Sequence, residues 1–115
     1  MTHSARVTAD GALEIALALP GVSAQPSGDH TAVRVSGRGF GYLLPDGSQL
    51  MVKATLAEQA AWVAEDPKTY SATHTSGRYG WIMVRLARVG WDELSELITE
   101  GWRLTAPARL TRSAR

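Results

Sequence analysis

Apolar positions recur along this chain with two different periods, and the changes of period divide it into elements. From Thr8 or Asp10 to about Leu19, Leu13, Ala16 and Leu17 fall at helical spacing, and Pro20-Gly21 stops the run. Gln25 to Asp29 (QPSGD) reads as a loop. From Thr31 to Ser36 the period drops to two, with Val33 and Val35 on one side and Ala32 and Arg34 on the other. Gly37-Arg38-Gly39 forms a tight turn into a second strand, Phe40 to Leu44. Pro45-Asp46-Gly47-Ser48 is a turn before a third, Leu50 to Ala54. Three short strands joined this tightly predict an antiparallel meander.

Thr55-Leu56-Ala57-Glu58 has the form of a capping box and predicts a second helix, with Leu56, Ala60 and Val63 as its buried stripe and Asp66-Pro67 at its end. Thr69 to Thr73 is a short strand, and His74 to Gly80 a polar connection. Trp81 to Leu86 alternates strongly: Ile82, Val84 and Leu86 lie opposite Trp81, Met83 and Arg85. A third helix starts near Asp92 and carries Leu94, Leu97, Ile98 and Trp102 on one face. The order helix, three strands, helix, two strands, helix predicts an α+β fold, an antiparallel β-sheet with helices packed on one face in a two-layer sandwich. Residues 1–115 are expected to form one domain, with 1–7 and 111–115 as flexible ends.

Composition narrows the chemistry. A chain of 115 residues supports one modest core. The absence of cysteine excludes disulfides, thiolate metal sites and cysteine nucleophiles. The amino end lacks an apolar core of signal-peptide length, and the longest apolar run, around Ile15 to Leu19, is too short to span a bilayer. The expectation is a cytoplasmic monomer with no membrane association. The net charge is only +1, but it is unevenly spread. Residues 1–66 carry four cations against seven acids; residues 67–115 carry eight cations against four acids. A basic half of this kind points to a polyanionic partner as readily as to an ordinary solvated surface.

If Val33, Val35, Val52, Ile82, Val84 and Leu86 face the helices, alternation puts Arg34, Lys53, Trp81, Met83 and Arg85 on the opposite face. Cations among aromatic rings suit nucleic acid, where charge neutralises phosphate and a ring packs on a base or sugar. The same composition suits a protein partner. The plainer alternative is that Trp81 caps the edge of the core with Arg85 across its ring.

No catalytic constellation, cofactor motif or metal set emerges, and a non-enzymatic role is expected. His3, His30 and His74 have no ligand at helical spacing. Asp92, Glu93, Glu96 and Glu100 suit a helix amino terminus and a solvated face. Gly37-Arg38-Gly39-Phe40-Gly41 is followed by a strand rather than a helix, so it lacks the dipole of a phosphate loop. It would place Arg38 at the tip of a hairpin, projecting like a wing. A small-ligand or enzymatic site in the loop of His74 and Arg78 is a further alternative.

Three stretches carry a resemblance: ALALPGV (16–22), GRYGWIMVRLARV (77–89) and WDELSELITEGWRLTAPARL (91–110). With VRVSGRGFGYLLPDG and EDPKTYS between them in matching order, the chain resembles the MmcQ/YjbR-like family over nearly its whole length. The resemblance implies a fold similar to the frataxin/CyaY α–β sandwich, and a DNA-binding role through paired β-wings. It implies no catalytic residue. Arg78, Tyr79, Gly80, Trp81 and Arg85 match the family pattern, as do Trp102, Pro107 and Leu110, which look structural. Two departures stand out: Gly90-Trp91 replaces the family's frequent Asp-Pro, and Gly101 stands where alanine is usual. Frataxin-type iron binding needs a carboxylate ridge on the first helix, which here offers only Asp10 and Glu14. The nucleic-acid contacts expected from these readings together are Arg34, Arg38, Lys53, Arg78, Trp81 and Arg85, with longer-range attraction from Arg109, Arg112 and Arg115.

Overall fold

The structure is a computed structural model that describes residues 7–113. Its chain order is α1 (Ala9–Leu17), β1 (Val22–Ser27), β2 (His30–Val35), β3 (Arg38–Leu43), β4 (Gln49–Thr55), α2 (Leu56–Glu65), β5 (Tyr70–Ser76), β6 (Tyr79–Arg85), α3 (Trp91–Thr105) and α4 (Ala108–Ser113). The six strands form one antiparallel sheet in the order β1-β2-β3-β4-β6-β5. The fold is α+β, as expected, with one more strand and one more helix than the period analysis predicts.

The extra strand is β1, where QPSGD reads as a loop. It lies at the edge of the sheet, and an edge strand tolerates Pro26 because the missing N–H need not serve a ladder. The other edge is β5, whose pairing runs through Ser76 and so takes in most of the expected 74–80 connection. The tail beyond Pro107 is helical as α4. It is fastened by Leu110, whose Cδ1 lies 2.8 Å from where a Cβ on Gly21 (φ +74°) would stand. The expected flexible ends fall mostly outside the described residues. Val7, the first described, is buried and donates its N–H to Leu86 O at 3.2 Å.

The core lies between the sheet and the helices. Val33 and Val35 from β2, Leu50, Val52 and Ala54 from β4, and Ile82 and Val84 from β6 meet Leu94, Leu97, Ile98 and Trp102 of α3. The α3 stripe is the predicted one. The other two helices differ. In α1 the buried residues are Ala12, Ile15 and Ala16, and Leu17 is exposed at the last turn. In α2 the capping box forms, with Glu58 N donating to Thr55 Oγ1 and Thr55 N to Glu58 Oε1, each at 3.0 Å. Yet Leu56 and Ala60 face solvent, and the fully buried residue is polar: Gln59.

Gln59 has a specific task. Its Nε2 donates to His74 O at 3.2 Å and to Trp81 O at 3.0 Å, where the β5–β6 register shifts between Ala72 and His74. A bulge frees backbone carbonyls from the ladder, and a buried carbonyl needs a partner. The amide supplies it from the helix layer.

Gly101 is explained by close approach. A Cβ there would stand 2.9 Å from Lys53 O and 3.1 Å from Val52 Cγ1, because α3 lies against β4 at this point. Gly101→Ala is therefore expected to lower stability by about 1–3 kcal/mol through overpacking. It does so although alanine favours a helix interior by about 1 kcal/mol over glycine. A urea unfolding midpoint that rises instead would show that propensity dominates at this position.

Tyr70 gives the helix layer a pH dependence. Its ring meets Trp62 edge-on at 5.1 Å, and the residue is buried beside carboxylates. Burial first, then Glu93, Asp66, Glu65 and Glu96, push the phenol from 10.0 up to about 12. A raised folded-state value means the protonated form is favoured by folding. That stabilisation is complete below pH 10.0 and is lost as pH climbs toward about 12. Unfolding free energy is expected to fall across that interval, and Tyr70→Phe should flatten the fall. An unchanged alkaline profile in the variant would assign the loss to other groups.

Candidate nucleic-acid interface

Alternation along the strands fixes which residues stand on the sheet face opposite the helices. Direct pairing puts Lys53 beside Trp81, Met51 beside Met83 and Gln49 beside Arg85, all on that open face. Tyr42 joins them through its pairing with Met51, and Arg34 lies on the same side as Ala32, the partner of Tyr42. From β5 comes His74, paired with Trp81.

An aromatic row crosses this face. Tyr42 and Trp81 have ring centroids 5.7 Å apart at 48°, and Trp81 and His74 stack at 5.8 Å and 13°. The β5 bulge makes the stack possible by bringing His74, rather than Thr73, opposite Trp81. The Thr73 hydroxyl donates to Trp81 O at 3.2 Å, closing the bulge on its other side. Held between two rings, Trp81 keeps only 9% of its surface exposed. It organises the face, and the rings beside it are the more accessible. The cation–ring contacts fall on Tyr79 rather than on the Arg85–Trp81 pair of the plainer alternative: Lys53 Nζ lies 4.2 Å and Arg78 Cζ 5.6 Å from the centre of the Tyr79 ring.

The structure therefore gathers Lys53, Arg78 and Trp81 around Tyr79, with Arg34 on the same face near the same end. The β2–β3 turn, at Ser36-Gly37, and the β5–β6 turn, at Gly77-Arg78, project from this one end of the sheet. Arg85 is on the same face but at the other end, in a shallow groove with Ser48, Gln49 and Arg88. Arg38 is set apart. It is the first residue of β3 rather than the tip of a turn, and it lines a cleft toward the α3–α4 junction with Arg109. Arg112 is exposed on α4, and Arg115 is outside the described residues. Tyr42 was reachable from sequence by extending the alternation across β3. His74 was not, because the bulge breaks the period at Thr73.

The electrostatic pattern is organised by layer. All eleven Asp and Glu side chains are among the described residues, and none lies in a strand. Asp10, Glu14, Glu58, Glu65, Asp92, Glu93, Glu96 and Glu100 are on α1, α2 and α3; Asp29, Asp46 and Asp66 are in loops. Two of the loop acids are locally occupied. Ser48 donates to Asp46 from its N–H (3.0 Å) and hydroxyl (2.8 Å), holding that carboxyl below its ordinary range. The Thr69 hydroxyl does the same for Asp66 at 2.7 Å. Arg34, Lys53 and Arg85 thus stand on a sheet that carries no opposing charge of its own.

The YjbR family model matches residues 17–104, most of the chain. The chain belongs to the YjbR family. Relatives 33% identical over 91 residues include uncharacterised proteins of Mycobacterium tuberculosis and Mycobacterium bovis. The match takes in 79% of this chain and 57% of each relative, so this YjbR chain spans a little over half the length of the proteins it matches. A crystal structure of a Deinococcus radiodurans protein with the domain DUF419 superposes with a TM-score of 0.76 over 92% of this chain and 86% of that one. At 16% identity this likeness speaks for the fold alone. Among the described residues, no helix is long and apolar enough to cross a membrane.

Proposed function

We propose that this YjbR chain is a non-enzymatic DNA-binding protein of the cytoplasm, gripping the phosphate backbone with the open face of its sheet. The observation that carries the reading is the segregation of charge, with carboxylates confined to helices and loops and cations standing among aromatic rings on the sheet. Arg34, Lys53 and Arg78 contact phosphates at the two-turn end, and Arg85 extends the track to the far end. Tyr42, Tyr79 and His74 pack on sugars or bases, with Trp81 holding them in place. The kinship with the frataxin/CyaY sandwich implied by the family pattern belongs to the same proposal as a matter of shape, not of iron.

The test is fluorescence anisotropy of labelled duplex and single-stranded DNA at about 50 and about 200 mM salt, where phosphate-dominated binding changes most. For about four phosphate contacts, affinity is expected to fall by about two orders of magnitude across that range. Binding that tolerates this change of salt and disappears in Trp81→Ala would instead favour a protein-docking role for the same face. No binding at the lower salt would remove the DNA reading.

A further inference from the structure

The cleft that takes Arg38 away from the open face has chemistry of its own. It lies between the β2–β3 hairpin and the α3–α4 junction, has a volume of about 420 Å³, and is lined by Ser36, Arg38, Thr105, Pro107 and Arg109 among others. We propose that this cleft binds a phosphate monoester. The proposal does not rest on the DNA reading, which concerns the opposite face of the sheet.

Two arginines line one cleft from separate elements, Arg38 from β3 and Arg109 from α4. Among the described residues the ion pair within 4.0 Å is Arg103 with Glu100, so neither cleft arginine has a carboxylate at that range. Two like charges lining one concave site repel unless an anion lies between them. The planar donor fork of arginine matches phosphate oxygens two at a time.

The charge count selects the kind of phosphate. A monoester carries about −1.5 to −2 at neutral pH, which balances two guanidinium groups; a backbone diester balances one. Ser36 adds a hydroxyl at the wall of the cleft. Its positive φ (52°), with that of Gly37 (78°), belongs to the two-residue hairpin turn that fixes Ser36 beside Arg38. Both cations stand on anchored elements. Arg38 is paired with Val35 in the ladder. Arg109 sits in a turn closed by Leu110 N donating to Pro107 O at 3.0 Å, with the Leu110 side chain seated over Gly21. The backbone that carries each cation is thus fixed by pairing or by the turn.

The experiment is a proton–nitrogen correlation NMR titration with methyl phosphate and, separately, dimethyl phosphate. It is run at constant ionic strength and about pH 7.5, above the monoester's second pKa of about 6. Methyl phosphate is expected to give saturable shifts at residues 36–38 and 109 and at the Nε–H groups of Arg38 and Arg109. Dimethyl phosphate should bind about tenfold more weakly, and Arg38→Ala or Arg109→Ala should each weaken methyl phosphate by about tenfold, the scale of one charge-assisted pair. Arg103→Ala, on the helix layer, should change nothing. Spectra unaltered away from the cleft will show that the variants fold. Equal responses to the two esters, shifts centred elsewhere, or unaltered binding in the double variant would each overturn the proposal. The source of the phosphate is read by comparing a terminally phosphorylated oligonucleotide with its terminal-hydroxyl counterpart. An advantage lost in Arg109→Ala assigns a nucleic-acid end, and no advantage assigns a free small phosphate ester.

Discussion

Trp102→Ala is expected to lower the unfolding free energy by about 3–5 kcal/mol, the usual cost of truncating a buried tryptophan. The side chain is 1% exposed and belongs to the α3 stripe, packed against the sheet. Truncation leaves a void that close-packed neighbours fill only in part, so the transfer energy given up and a cavity term add. A second loss is polar. Trp102 Nε1 donates to Pro20 O at 2.9 Å, bridging α3 to the connection between α1 and β1 across 82 residues of sequence. Trp102→Phe separates the two effects. It keeps most of the apolar body but gives up this hydrogen bond, whose net worth is about 1 kcal/mol. The check is urea unfolding followed by far-ultraviolet circular dichroism, with the slope compared between variants. A tryptophan-to-alanine change costing less than phenylalanine's deficit would mean that Trp102 does not clamp the helix layer to the sheet.

The α3 stripe was legible because both its faces obey one period for about three turns: Leu94, Leu97, Ile98 and Trp102 are apolar where the helix meets the sheet, and carboxylates fill the other side. Strands β2, β4 and β6 were legible for the same reason, each with one buried face. Where burial is weak, periodicity carries little information. Strand β1 is half exposed and interrupted by Pro26, and β5 is polar along most of its length. Both are held at the sheet edges by pairing with a stronger neighbour rather than by their own side chains. In α2, Gln59 lies on the buried face because the β5–β6 bulge exposes carbonyls there. That need arises in the tertiary structure, so a local search for apolar residues picks Leu56 and Ala60 instead.

The candidate site was half legible. Alternation located Arg34, Lys53, Trp81 and Arg85 on one face, but strand order decides which of them are neighbours. Lys53 and Trp81 meet because β4 pairs with β6, skipping β5 in the chain. Arg38 could not be separated from Arg34 by sequence spacing. Between them lies the two-residue turn Ser36-Gly37, which pairs Val35 with Arg38 and so puts Arg38 on the face of Val35 rather than that of Arg34. The charge asymmetry visible between the halves of the chain also changes meaning once folded. It becomes an asymmetry between layers, because the three long helices hold most of the acids and the sheet holds none.

That segregation sets the second large effect. Arg34→Glu combined with Lys53→Glu is expected to lower DNA affinity by about a hundredfold or more at about 50 mM salt. The salt slope should also shrink, by about one for each phosphate left without its cation. Two cations would be removed and two anions placed on a sheet face that otherwise carries none, so attraction becomes local repulsion. The loss should be similar for unrelated sequences, since phosphates are common to all of them. Folding should survive. Arg34 and Lys53 are only half-buried, and the aromatic row of Tyr42, Trp81 and His74 does not depend on either charge. The matched control is Arg103→Glu, which changes net charge by half as much on the helix layer, where Arg103 already pairs with Glu100. A fall in affinity confined to the open-face variant would tie binding to that surface rather than to net charge. A control loss about half as large on a logarithmic scale would mean that DNA responds only to the net charge of the chain, and the open sheet face would then have no special part in it.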